Sequence, residues 1–309
     1  VYTPYLQLGN TPDTKVTDSQ IDGGPANADA SYAGEMTLTD AVKWSKNTVA
    51  WNIYQQITPK TGSSFLIKMG FHKIWVDKDY NAGALGGFTY GVTTEEMAGG
   101  YAALANDGVY RKATCIRLIV NASNKTVVNE TNRDSKVYDK SASRMMTQML
   151  REVVLSGTGT SANVENAVVA GKTGTTNASK DVWFCGYSKY YTTTVWAGYD
   201  YPKEMSGVNS RVNAIFKDFM TAVHTNLPVT DFSTVTQQTT QPETTAAVQE
   251  ETQSLPQETT AIVPEMETTG IEQVTPQQVP STTAQVPTTT PYQRWTTAPA
   301  QPKTTAPMQ

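Results

Sequence analysis

The sequence predicts an α+β domain, helices flanking one antiparallel sheet, followed by a disordered C-terminal tail. Three observations predict it. Apolar residues recur at helical spacing through the middle of the chain, as Leu38, Val42, Val49, Ile53 and Ile57 do. β-Branched and aromatic residues gather late, in runs such as Val182 to Gly186 and Thr192 to Tyr199, and their short connections imply antiparallel pairing. From Val229 to Gln309 the composition turns to Thr, Pro, Gln and Glu, which cannot bury enough apolar surface to offset the entropy of ordering. Residues 1–228 are therefore read as globular and 229–309 as an extended tail.

Taken in order, Val1 to Gly34 reads as loop, with Pro, Gly, Asn and Asp throughout. A helix opens at Thr37 or Thr39 as cap, with Asp40 in its first turn, and its apolar spacing carries it to Ile57. Ser45 falls on that apolar face, between Val42 and Val49. A second helix covers Ser63 to Met69, and Ala84 to Gly87 turns the chain. Thr93 or Thr94 with Glu96 opens a helix through Leu104, which Asn106-Asp107-Gly108 stops. Val109 to Val120 and Lys125 to Val128 read as strands with an Asn-Lys turn between them. Ser141 to Val154 is a helix whose Met145, Met146, Met149, Leu150 and Val153 form a core-facing side. Ser156 to Thr160 ends it. Val168 to Asp200 then supplies two strands and a polar turn at Asn177 to Lys180, and a helix from Val208 to Leu227 closes the domain. One sheet with helices packed on it is the economical arrangement.

The chain has 309 residues with 24 basic and 28 acidic side chains, a net charge of −4. That length can bury a sizeable core. No basic block could track a phosphate backbone, which argues against a nucleic-acid partner. Cys115 and Cys185 are too few for a disulfide scaffold and wrongly spaced for a metal. Two buried thiols, or one disulfide in an oxidising compartment, both stay open. His72 and His224 lack companions at ligand spacing and read as surface or packing residues. No nucleotide-binding glycine loop opens a helix, and no cofactor is indicated. No signal peptide and no apolar run of membrane-spanning length is seen. The chain enters on the apolar segment VYTPYLQL, as if cut through a folded unit.

The chemistry lies in two short segments. Gly171 and Gly174 flank Lys172-Thr173, baring a strand against which another chain can lie. The ammonium of Lys172 and the hydroxyls of Thr173 and Thr175 suit a carboxylate. Ser45-Lys46-Asn47 supplies a hydroxyl and an amide. Together these groups suit acyl transfer, in which the hydroxyl and ammonium move protons and a strand N–H stabilises an oxyanion.

The order S-x-N then K-T-G resembles the second and third motifs of the penicillin-recognising serine enzymes. The stretches GEMTLTDAVKWSKNTVAWNIYQQ, ALGGFTYGVTTEEMAGGYAALANDGVY, LSGTGTSAN and AGKTGTTNASKDVWFCGYSKYYTTTVWAGYD resemble the transpeptidase domain of class A (bifunctional) penicillin-binding proteins. The resemblance covers residues 1 to about 220 and implies a β-lactamase/transpeptidase-like fold. It implies a peptidoglycan D,D-transpeptidase acting on stem peptides ending in D-Ala-D-Ala, with β-lactams as mimics. Carried over, Ser45 relays a proton to the leaving amine and Asn47 bonds the substrate amide. Lys172 biases the site towards the terminal carboxylate, which Thr173 and Thr175 bind. The Thr175 N–H forms half the oxyanion hole, and Gly174 admits the peptide as an added strand.

One departure matters. No Ser in the chain has Lys three positions on; Ser64 to Lys68 is one residue too long, and Ser141 to Arg144 has the wrong base. In the family that S-x-x-K motif closely precedes a segment like VYTPYLQLGN. The expectation is therefore a domain incomplete at its N-terminus, without nucleophile and inert alone. The family's glycosyltransferase domain and membrane anchor would lie further upstream, on the extracytoplasmic side of a bacterial membrane. Two competing readings are a β-lactamase or D,D-carboxypeptidase of the same class and a non-catalytic wall-associated protein that kept the fold.

Overall fold

The computed structural model describes residues 1–129 and 134–234. Two short helical segments, α1 (Tyr2–Gln7) and α2 (Leu38–Lys43), are followed by α3 (Asn47–Ile57) and α4 (Pro59–Lys68). Then come α5 (Thr94–Ala105), α6 (Lys140–Ser156) and α7 (Asn209–Val223). The strands are β1 (Lys15–Asp18), β2 (Gly34–Thr37), β3 (Val109–Arg111), β4 (Leu118–Val120), β5 (Thr126–Asn129), β6 (Asp134–Lys136), β7 (Ala170–Thr175), β8 (Asp181–Tyr187) and β9 (Thr192–Gly198). All pairings among the described residues are antiparallel, but they form four sheets, not one. Three are two-stranded, β1-β2, β3-β6 and β4-β5; the fourth is β7-β8-β9.

Local chemistry explains where the sequence reading departs from this. The first 34 residues are not all loop: α1 buries Leu6, and β1 pairs with β2. The expected strand from Val109 to Val120 breaks after Arg111, where the Thr114 hydroxyl accepts the Ile116 N–H and turns the chain. Thr93 caps α5 in a capping box with Glu96, as its sequence indicates. Cys115 is exposed and only Cys185 is buried; both are free thiols. The apolar face of α6 buries Met146, Met149, Leu150 and Val153, with Met145 partly covered. Those side chains meet Leu38, Val42, Val49 and Ile53, and the cluster reaches Tyr187 of β8. A second core joins Val182 and Phe184 to Val212, Phe216 and Met220 of α7. Phe232 lies edge-on to Tyr187 and Asp231 pairs with Arg151, so packing continues past residue 228. The remainder of the expected tail, 235–309, lies outside the described residues. No helix among the described residues is long and apolar enough to cross a membrane.

The excursion between β1 and β2 has a polar interior. Asp18 is fully buried and accepts from Asn27 Nδ2 at 2.7 Å, Thr48 Oγ1 at 2.6 Å and the Ala33 N–H at 2.9 Å. The buried Lys46 ammonium lies 3.4 Å from Asp18 and 2.9 Å from Asp29. Burial alone would raise the Asp18 pKa; the hydrogen bonds and the Lys46 charge outweigh it and lower the pKa. This network bolts the start of α3 to the loop at residues 26–31. Removing Asp18 strips the acceptor from Asn27, Thr48 and the Ala33 N–H and leaves Lys46 to Asp29 alone, so Asp18→Ala should destabilise the fold by about 2–4 kcal/mol. Urea unfolding measures this, and a loss under about 1 kcal/mol would contradict the role given to the network.

Candidate active site

The expected long helix from Thr37 to Ile57 is interrupted at Ser45, which therefore sits on no helical face. α2 ends in a Schellman motif: the Ser45 N–H bonds Val42 O at 3.2 Å and the Lys46 N–H bonds Ala41 O at 2.9 Å. Ser45 takes the left-handed position of that motif, with φ of 56°. Glycine is usual there, and a side chain costs roughly 1–2 kcal/mol. The break is stabilised from outside, because Lys46 turns to Asp18 and Asp29. Its effect is to lift the Ser45 hydroxyl out of the helical ladder and aim it at β7.

β7 is the edge of its sheet, with β8 on one side only among the described residues. Its register sets Lys172 opposite Cys185, Thr173 opposite Phe184, Gly174 opposite Trp183 and Thr175 opposite Val182. Directly paired residues share a face. Lys172 thus shares the face of Cys185, whereas Thr173 and Thr175 share that of Phe184 and Val182. Gly171 is required for packing: a Cβ there would lie 2.7 Å from the Phe184 ring.

The Lys172 ammonium donates to Ser45 Oγ at 2.8 Å and to Thr173 O at 3.0 Å. This contact ties the segment between α2 and α3 to the sheet edge. Burial lowers the Lys172 pKa to about 8, against a small opposing pull from Cys185. An amine so poised exchanges a proton readily with a bound hydroxyl and favours an incoming anion. Thr173 Oγ1 meets Thr158 Oγ1 at 2.9 Å. Thr175 Oγ1 reaches Asn209 Oδ1 at 3.4 Å. Asn47 is placed differently: its Nδ2 donates to Ala26 O at 2.8 Å, tying it to the 26–31 loop. The structure therefore joins Ser45, Lys172 and Thr173 by direct bonds and anchors Asn47 two residues from Ser45.

Both histidines have other partners. His72 is exposed and meets Glu96, and His224 is buried between Ser188 and Met220 O. Among the described residues no group of His, Cys, Asp and Glu could hold a metal. An apolar cavity of about 330 Å³ adjoins Lys172, walled by Val42, Met69, Phe71, Tyr101, Leu150 and Val1. Asp18, Lys46 and Thr158 went unmarked in the sequence. Lys46 is the variable middle of its tripeptide, and the only signal for Thr158 was the glycine on each side of it.

The family model "Penicillin binding protein transpeptidase domain" matches residues 6–221. The chain belongs to the penicillin-binding protein transpeptidase family. It is 35% identical over 206 residues to penicillin-binding protein 1F of Bacillus subtilis, and 37% identical over 215 residues to penicillin-binding protein 1A of Aquifex aeolicus. These alignments take in 64% and 67% of the chain, and it spans 28% of the length of each relative. The transpeptidase fold is shared with PonA1 of Mycobacterium tuberculosis, at a TM-score of 0.63 and 21% identity over 75% of this chain and 68% of that one. PonA1 in complex with penicillin V matches at a TM-score of 0.61 and 20% identity, over the same shares of the two chains.

The lowered Lys172 pKa fixes a pH dependence. Between pH about 8 and the ordinary lysine value of 10.5, the folded amine is neutral while the unfolded one stays protonated. The unfolded state then binds more protons, so stability rises with pH in that window. The difference in unfolding free energy between the native chain and Lys172→Met should climb from pH 8 to pH 10, and a flat difference would contradict the assignment.

Proposed function

We propose that this penicillin-binding transpeptidase domain cross-links peptidoglycan stem peptides, taking a donor that ends in D-Ala-D-Ala. The observation that carries the reading is the Lys172 ammonium, 2.8 Å from Ser45 Oγ, on an edge strand free to accept a peptide. The donor lies along β7 as an added strand beside Gly174, and its carboxylate meets Thr173, Thr175 and the positive field of Lys172. A serine oxygen attacks the penultimate carbonyl, and the Thr175 N–H holds part of the oxyanion. Ser45 passes a proton from Lys172 to the departing D-alanine nitrogen as the peptide C–N bond breaks, and Lys172 regains the proton that the attacking serine gave up. Asn47 bonds the donor amide. An amine of a second stem peptide then takes the acyl group and restores the serine. β-Lactams enter by the same geometry, and a relative of this fold holds penicillin V.

The attacking serine belongs to an S-x-x-K segment, and residues 1–309 contain none. The reading packs that segment against the open apolar cavity of about 330 Å³ beside Lys172, whose Val42, Met69 and Leu150 walls suit apolar side chains. It also gives the parent protein the class A architecture, with a glycosyltransferase domain and membrane anchor, and places this domain outside the cytoplasm. Residues 1–309 alone are thus inert in acyl transfer but keep the carboxylate-binding half of the site.

Two measurements on the purified chain test this. Fluorescent penicillin should leave no covalent label after denaturation. In solution NMR, N-acetyl-D-alanyl-D-alanine should shift β7 amide signals at lower concentration than its C-terminal amide does. Covalent labelling, or equal binding of acid and amide, would sink the respective half of the reading.

A further inference from the structure

We infer that Thr158 is a positioning residue for the carboxylate end of the ligand, aligning the Thr173 hydroxyl towards it. The inference rests on the carboxylate reading above and adds a residue to it. Thr158 follows α6 in the turn Ser156-Gly157-Thr158-Gly159, and that turn is fixed from both sides. A Cβ at Gly157 would lie 2.6 Å from Lys43 O, and one at Gly159 would lie 3.2 Å from both the Phe184 ring and Val153. The glycines are thus pressed onto the end of α2 and onto the sheet. Thr158 is the exposed residue between them, and its N–H bonds Lys43 O at 3.3 Å. Lys43 stands two residues before Ser45. One turn therefore touches both the segment that carries Ser45 and the strand that carries Thr173.

The hydroxyl chemistry gives this placement a direction. Thr173 Oγ1 has one proton and two lone pairs. The Thr158 hydroxyl lies 2.9 Å away, and the Lys172 ammonium, at 3.4 Å, is a donor only. A carboxylate accepts and cannot donate. When one binds, Thr173 gives it the proton, and its lone pairs receive the Thr158 O–H and the Lys172 N–H. Donors then run in one sense, Thr158 to Thr173 to carboxylate, and each bond polarises the next. Without Thr158 the Thr173 hydroxyl loses the partner that sets its rotor.

The test titrates the ¹⁵N-labelled chain with N-acetyl-D-alanyl-D-alanine and with its C-terminal amide. Thr158→Val, close in shape, should weaken acid binding about tenfold, the loss of one charge-assisted network bond, with amide binding unchanged. Thr158→Ser should recover acid binding to within about twofold, because the donor returns. Thr158→Val binding the acid as tightly as the native chain overturns the inference, as does equal loss of acid and amide, which marks a merely structural role. A native chain that prefers acid, with a variant that keeps the preference, defeats Thr158 alone. A native chain without the preference defeats the carboxylate reading and this inference together.

Discussion

A half-buried ammonium with two hydroxyls and a carbonyl for partners, and no carboxylate among its described contacts, organises this domain. Lys172 would be more comfortable with an acid beside it, since desolvation of a lone cation is expensive. The fold instead lowers its pKa and offers it Ser45. That unpaired charge keeps the site receptive to an anion from outside. Both halves of the molecule are shaped by the contact: α6 supports β7 from within, and the α2–α3 break delivers Ser45 from the helical side.

The same economy appears around Ser45. Its left-handed backbone is unfavourable for a residue with a side chain, and the surroundings over-determine it. The Schellman bonds close α2, the Lys46 ammonium is drawn down to Asp18 and Asp29, and Asn47 is tied to Ala26. A continuous helix would have turned the Ser45 hydroxyl back into its own ladder. The buried acid of β1 therefore works at a distance, through Lys46, on the hydroxyl that faces β7.

The sheet and the helices around it were largely legible, because β7, β8 and β9 and the faces of α5 and α6 follow local rules of alternation, capping and 3.6 periodicity. Ser45, Lys172 and Thr173 were also legible as a set, through their motifs. What was not legible depended on partners distant in sequence. The apolar spacing of Val42 and Val49 reads straight through Ser45, and the acids that hold Lys46 at the break, Asp18 and Asp29, come from a region that looked like loop. Cys115 looked like a core thiol and is exposed, on an excursion that Thr114 turns outward. Thr158 looked like a helix stop because its role is visible only beside Thr173.

A Lys172 that waits for a carboxylate reports it directly in its amine pKa. Carbon-detected NMR of lysine-labelled chain can follow the Lys172 Cε through pH 6 to 11, without ligand and with saturating N-acetyl-D-alanyl-D-alanine. The midpoint should lie near 8, move upward with the acid and stay in place with the amide. A midpoint at the ordinary lysine value, or one that the acid leaves unmoved, would contradict it.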